Sequence, residues 1–213
     1  MTDLLQYATI QDYLIGLVPP RKPEMQAMEE HADKTNFPII GPAAGYLCYL
    51  IARLIGARSV FEMGSGYGYS TAWFARAVIE NGGGVVHHVV WDEKLSKEAR
   101  GHLSRLGYDG TIQYHVAEAV TTLRETPGPF DLIFCYIEKQ DYPAALPVIW
   151  SKLRTAGVLI IDNIIWHGRI FDSSDRSAAT HGVREFTRQI TQDGDWIVSV
   201  LPVRDGVMVA YKK

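Results

Sequence analysis

Between Val60 and Ser70 the chain reads V-F-E-M-G-S-G-Y-G-Y-S, and this stretch restricts the possible fold more than any other. An apolar run interrupted by Glu62 passes into alternating glycines, Gly64, Gly66 and Gly68. It leaves through Ser70-Thr71 into a segment, Ala72 to Val78, whose apolar residues have helical spacing. Strand, tight turn and helix is the reading. Glycine lets the backbone of such a turn take positive φ, and lets a ligand come close without meeting a Cβ. The helix beyond aims unpaired N–H groups and the positive end of its dipole at the turn. A polar or anionic ligand is expected there.

Spacing narrows the choice of ligand. The dinucleotide fingerprint G-x-G-x-x-G needs its third glycine at the position held by Tyr69, whereas this chain has Gly68. A nicotinamide-dependent oxidoreductase is therefore disfavoured.

The rest of the chain supplies the sheet. Strands are expected at Ser59 to Met63, Val85 to Trp91, Ile112 to Val116, Asp131 to Tyr136 and Val158 to Ile161. Helices are expected at Ala43 to Ile55, Thr71 to Glu80, Glu93 to Leu106, Val120 to Arg124, Tyr142 to Leu153 and Arg184 to Gln192. Val85 to Trp91 is almost uninterrupted in apolar and β-branched residues, as a strand buried on both faces should be. Trp196 to Val203 and Val207 to Lys212 flank Asp205-Gly206, a hairpin signal. The expectation is a single α/β domain over residues 1–213: a doubly wound, mostly parallel, seven-stranded sheet with helices on both faces and a C-terminal antiparallel hairpin. Leu4 to Val18, stopped by Pro19-Pro20, and Arg21 to Lys34 form a helical cap within residues 1–40, with the core in 41–213.

Composition excludes some classes. The 213 residues carry a net charge of −3, with 47% hydrophobic and 21% charged residues, so no overall basic footprint points to nucleic acid. No apolar stretch is long enough to span a membrane and no basic-then-apolar leader opens the chain, so membrane association is not expected. Cys48 and Cys135 lie far apart in apolar runs and read as buried free thiols in a reducing compartment, the cytoplasm.

With the hairpin placed, five motifs occur in order: Phe61-Glu62-Met63-Gly64 with Gly68-Tyr69-Ser70; Ala117-Glu118-Ala119; Asp131-Leu132-Ile133-Phe134 through Tyr142; Asp162-Asn163-Ile164-Ile165-Trp166-His167-Gly168; and Leu201-Pro202-Val203 with Asp205-Gly206. From about Ile40 to the C-terminus the chain resembles the cation-dependent, S-adenosylmethionine-dependent O-methyltransferases of the caffeoyl-CoA and catechol type. The resemblance implies S-adenosylmethionine as cofactor, with Glu62, Gly64, Ser65, Gly66 and Ser70 holding its methionine and ribose side. Ala119 would line the adenine pocket and Glu138 would approach from the fourth strand. It also implies a small, hydroxyl-bearing, aromatic acceptor and a homodimer in which the N-terminal helices take part.

Two positions depart from the pattern. The acid that receives the ribose hydroxyls at the end of the second strand is replaced by Val90, which accepts no hydrogen bond. Asp92, two residues on, is either its substitute or the N-cap of the next helix. The family's divalent cation of the Mg²⁺ type is held by an aspartate ending the fourth strand and by an Asp-Asn pair after the fifth, all hard oxygen ligands. Asp162-Asn163 keep the pair, but Tyr136 stands at the first position. A neutral phenol, with a reference pKa of about 10, is a poor ligand for such an ion. Either the metal is held weakly or it has been given up, and Tyr136 then contacts substrate or fills the vacated position.

Lys139 matches the family's general base, and is otherwise a residue that orients substrate or a solvated loop lysine. His167 matches a substrate-contacting position and is an alternative base. The expected reaction is in-line methyl transfer to an acceptor hydroxyl. The rival expectation is a non-catalytic or weakly active cofactor-binding protein on the same fold.

Overall fold

The computed structural model describes residues 4–213. Among them, strands β1 (Ser59–Met63), β2 (Val85–Val90), β3 (Ile112–Val116), β4 (Phe130–Cys135), β5 (Leu153–Ile161), β6 (Trp196–Leu201) and β7 (Val207–Lys212) form a seven-stranded sheet. Its order is β3-β2-β1-β4-β5-β7-β6. The first five strands pair in parallel, and β7 is antiparallel to both β5 and β6. The expected architecture is the one observed.

Helices α1 (Leu4–Gly16), α2 (Pro23–Thr35), α3 (Gly41–Leu54), α4 (Tyr69–Glu80), α5 (Glu93–Arg105), α6 (Ala119–Glu125), α7 (Tyr142–Lys152) and α8 (Ala178–Gln192) cover the sheet. Strand residues alternate between two cores, as the two-residue period requires. Val60, Leu132, Phe134, Val158 and Ile160 meet Met28, Cys48, Trp73, Phe74 and Leu103 from α2 to α5 on one face. Phe61, Ile133, Leu159 and Ile161 meet Leu123, Tyr142, Ile149 and Phe186 from α6 to α8 on the other. Cys48 and Cys135 are buried free thiols. No helix among the described residues is long and apolar enough to cross a membrane.

Two element starts differ from the sequence reading by five residues or more. β5 begins at Leu153 rather than Val158, because the strand carries an irregularity: Leu153 pairs with Phe130, the register then shifts, and Val158 pairs with Leu132. Ala156 within the shift has φ of 59°. A bulge breaks the alternation by which a strand is recognised. α8 begins at Ala178 rather than Arg184, capped by Ser177, whose side chain accepts from the Thr180 N–H. Its first turn carries little apolar periodicity, and Gly182 just beyond it lets the helix approach the chain at Lys139, where an added Cβ would lie 2.3 Å from the Lys139 carbonyl oxygen.

The registers level the carboxyl ends of the strands. Met63 lies opposite Val89 and Cys135, and Cys135 opposite Ile161, so Gly64, Val90, Tyr136 and Asp162 follow one another along one rim. The strand order reverses between β1 and β4, the crevice where open α/β sheets take their ligands.

Candidate active site

Two adjoining cavities lie along that rim, of about 480 Å³ and 290 Å³. Pro38, Gly64, Val90, Trp91, Tyr136 and Glu138 line both, so the two form one cleft over the ends of β1, β2 and β4. The larger part continues past Ala117, Glu118 and Ala119 to Lys139 and Trp166, and the smaller past Ser65, Gly66, Tyr67, Tyr69 and Ser70 at the start of α4. Six residues expected at the cofactor (Gly64, Ser65, Gly66, Ser70, Ala119 and Glu138) thus line this cleft.

Glu62 does not reach the cleft lining. It is fully buried beneath the turn, where Thr71 Oγ1 bonds its Oε2 and also His88 Nδ1 on the neighbouring strand. Burial lifts the Glu62 carboxyl to about 7, against hydrogen bonds from Ser70, Thr71 and Ser65 that act to lower it. Burial lowers His88 to about 3, so this imidazole stays neutral. Ser65 ties the same turn to β2: its Oγ accepts from the Val89 N–H at 2.9 Å, and its own N–H donates to the Val89 carbonyl. Glu62 and Ser65 therefore set the shape of the turn.

Asp92 caps α5, its carboxylate accepting the Leu95 N–H at 3.0 Å. Val90 lines both parts of the cleft without offering a polar atom. Trp91, 82% exposed, stands at the lip of both, a flat apolar wall that the sequence reading absorbed into the strand.

Beyond the end of β4 lies a compact polar centre. Lys139 is 5% exposed, its Nζ donating to the Tyr142 hydroxyl at 2.7 Å and lying 4.4 Å from the Tyr136 ring centroid. Burial lowers its pKa, with Cys135, Asp162, Glu138 and Asp205 acting in the opposite direction. An amine so placed becomes neutral at a lower pH than a free lysine. Asp162 and Asn163 are buried, and Arg204 Nη1 donates to Asp162 Oδ2 and to Asn163 Oδ1, each at 2.8 Å. Burial raises the Asp162 carboxyl, and the Arg204 charge opposes that rise. Asp162 Oδ1 accepts no hydrogen bond among the described residues. Burial likewise raises the Tyr136 hydroxyl, with the adjacent Arg204 guanidinium pulling it down.

The donor set does not fit a hard divalent cation. A guanidinium holds oxygens of both Asp162 and Asn163, and Tyr136 is neutral. Among the described residues, no three His, Cys, Asp or Glu side chains gather as ligands.

His167 lies on a different wall. It is exposed, its N–H donates to Asp205 Oδ1 at 2.7 Å, and it lines a separate, mostly apolar cavity of about 810 Å³ with Ile15, Ile40, Ile165, Phe171 and Arg204. Lys139 lines the cleft over the strand ends and His167 this one. Asn163, Trp166, His167 and Arg204 all have positive φ. Such strain in non-glycine residues persists only where the surroundings enforce it, and it concentrates at functional sites.

A parallel sheet closed by an antiparallel hairpin, with a glycine turn feeding a cleft at its switch point, defines the Rossmann-like methyltransferases as a class. A profile of the O-methyltransferase family matches residues 22–213, and the chain belongs to that family. It is 26% identical over 190 residues to a catechol O-methyltransferase of Niastella koreensis, covering 86% of this chain and 85% of that one. It is 32% identical over 161 residues to a catechol O-methyltransferase of Mycobacterium tuberculosis, covering 74% and 72%. An O-methyltransferase of Bacillus cereus crystallised with SAH superposes with a TM-score of 0.86 at 25% identity, covering 96% of this chain and 97% of that one. The fold is also that of an O-methyltransferase of tomaymycin synthesis from Streptomyces achromogenes, crystallised with SAM, at a TM-score of 0.88, 24% identity and complete coverage, 100% of each chain.

Proposed function

We propose that the protein is an S-adenosylmethionine-dependent O-methyltransferase that methylates a hydroxyl of a small, largely apolar, aromatic acceptor, with the family's metal site altered. The observation that carries this reading is the continuous cleft from the glycine turn to Lys139. It offers a cofactor site at one end and a buried amine at the other. The methionine portion lies over Gly64 and Gly66 and the adenine beside Ala119. Glu138, which lines both parts of the cleft, supplies a carboxylate where Val90 supplies none, and Asp92 serves mainly as the α5 cap.

The acceptor oxygen attacks the methyl carbon in line, the carbon–sulfur bond breaks toward sulfur, and S-adenosylhomocysteine leaves. Lys139 Nζ takes the hydroxyl proton. Proximity and alignment provide most of the acceleration, because the protein makes no covalent bond to either partner. Trp166 and Tyr136 supply flat walls. The whole chain acts as one domain, in the cytoplasm, on a small molecule rather than nucleic acid. A homodimer belongs to this reading, and Tyr13, Leu17 and Leu54 present exposed apolar side chains on or beside α1 and α3.

The test is turnover. Protein incubated with methyl-labelled S-adenosylmethionine and a panel of phenols is expected to release S-adenosylhomocysteine in step with a methylated phenol. Cofactor binding without acceptor-dependent turnover across simple phenols, catechols and larger polyphenols supports the non-catalytic alternative instead.

A further inference from the structure

The loop after β5 and the turn between β6 and β7 are locked together. The Ile164 and Ile165 N–H groups donate to the Gly206 and Asp205 carbonyls at 3.1 and 2.9 Å, and His167 N–H to Asp205 Oδ1. The Arg204 N–H donates to Gln11 Oε1 on α1 at 2.8 Å. Arg204 itself has φ of 53°, a left-handed backbone that these contacts sustain. Its side chain is consequently held against Asp162 and Asn163, and it is 31% exposed, forming part of the wall of the 810 Å³ cavity.

The charges balance in an informative way. Two aspartates, an asparagine and a dication, the centre implied by resemblance, sum to zero. Neutral Tyr136, one carboxylate at Asp162 and one guanidinium at Arg204 also sum to zero. The carboxylate lost at Tyr136 is matched by the loss of one positive charge. A dication entering this centre would face the Arg204 guanidinium and the neighbouring Lys139 amine, with the Asp162 and Asp205 carboxylates already engaged by those two groups. Displacing the guanidinium would break hydrogen bonds to a carboxylate and an amide that are both buried, which is unfavourable.

Building on the proposed function, we infer that Arg204 is the resident cation of this centre: its guanidinium holds the place of a divalent ion, and the acceptor's oxygen meets its N–H groups. A guanidinium stays protonated and donates directional hydrogen bonds, so it can stabilise a developing phenolate. It does not chelate. The acceptor class is therefore one hydroxyl on an apolar aromatic skeleton, with no need for a second, vicinal oxygen. The apolar cavity bounded by Ile15, Ile40, Ile165 and Phe171 meets the cleft at Ile40, which lines both, and suits such a molecule.

The experiment is metal uptake, independent of turnover. Chelator-treated wild-type protein is titrated with Mn²⁺, and the electron paramagnetic resonance signal of the free ion is followed. The expected result is no loss of that signal, and the double variant Tyr136→Asp/Arg204→Ala is expected to remove one equivalent of Mn²⁺ from solution. Stoichiometric uptake by the wild type overturns the inference, as does a folded double variant that takes up none. The wild-type titration decides alone if the double variant does not fold without metal. Whether the protein binds S-adenosylmethionine is read separately, so failure of the proposed function is distinguishable from failure of the Arg204 assignment.

Discussion

Replacing Gly64 with alanine is expected to abolish measurable binding of S-adenosylmethionine and to lower the melting temperature by roughly 5–15 °C, the shift that about 2–4 kcal/mol produces in a chain of this size. Gly64 has φ of 86°, and a Cβ built on it lies 2.2 Å from the Tyr136 carbonyl oxygen. That neighbour is main chain and cannot rotate away. The Tyr136 N–H donates to the Met63 carbonyl at 2.8 Å, so moving the two strand ends apart breaks a bond of the sheet at its centre. The same displacement moves Ser65 and Gly66, which line the cleft. Gly82 is the control: its φ is 96°, but an added Cβ there has nothing within 4 Å. Gly82→Ala should therefore show only the conformational cost of a left-handed residue, about 1–2 kcal/mol, with unchanged cofactor binding. If Gly64→Ala melts with Gly82→Ala and binds the cofactor normally, the close approach of β1 and β4 at this turn is not what shapes the site.

Lys139→Met is expected to reduce kcat by roughly 10²–10⁴-fold, the usual contribution of a positioned general base, with cofactor affinity unchanged. The pH profile carries the sharper test. Because burial lowers the Lys139 pKa, the reactive amine is populated as pH rises through that lowered value, and kcat should rise with it and level off above. The methionine variant should lose this rising limb. Stability follows with a definite sign. A lysine whose folded pKa is depressed favours folding when neutral, and that contribution disappears as pH falls through the folded pKa. Below its lowered pKa the buried ammonium is thus a burden on the fold, and Lys139→Met should melt no lower than wild type in that range. A methionine variant that keeps the rising limb would assign the base to another group, with His167 the first to replace.

The sequence carried the fold because its signals are local. The apolar run of β2, the glycine turn after β1 and the Asp205-Gly206 turn each announce an element within a few residues, and all appear where expected. Where periodicity was interrupted, as at the β5 irregularity and in the Ala178-to-Gly182 start of α8, the reading placed the start too late. The glycine-turn end of the cleft was legible for the same reason, since Gly64, Ser65, Gly66 and Ser70, which line it, are contiguous with the turn that positions them. Asp92 illustrates the limit: its spacing allowed a ribose acid or a helix cap, and the structure shows the cap.

Arg204 was not legible at all. It lies 42 residues from Asp162, and nothing in its own neighbourhood distinguishes it from a solvated arginine beside a hairpin turn. Only the antiparallel return of β7 against β5 brings that turn over the carboxyl end of the sheet. The one hint in the sequence was indirect: Tyr136 at a position expected to be acidic left a cation without a partner, or a carboxylate without a cation. The structure gives Asp162 a guanidinium.

Calorimetric titration of chelator-treated protein with S-adenosylmethionine asks whether the S-adenosylmethionine site functions without a divalent ion. The titration is run first alone and then with Mg²⁺ present. The predicted result is one equivalent bound with the same affinity in both conditions. No binding in either, or binding that appears only when Mg²⁺ is added, contradicts it.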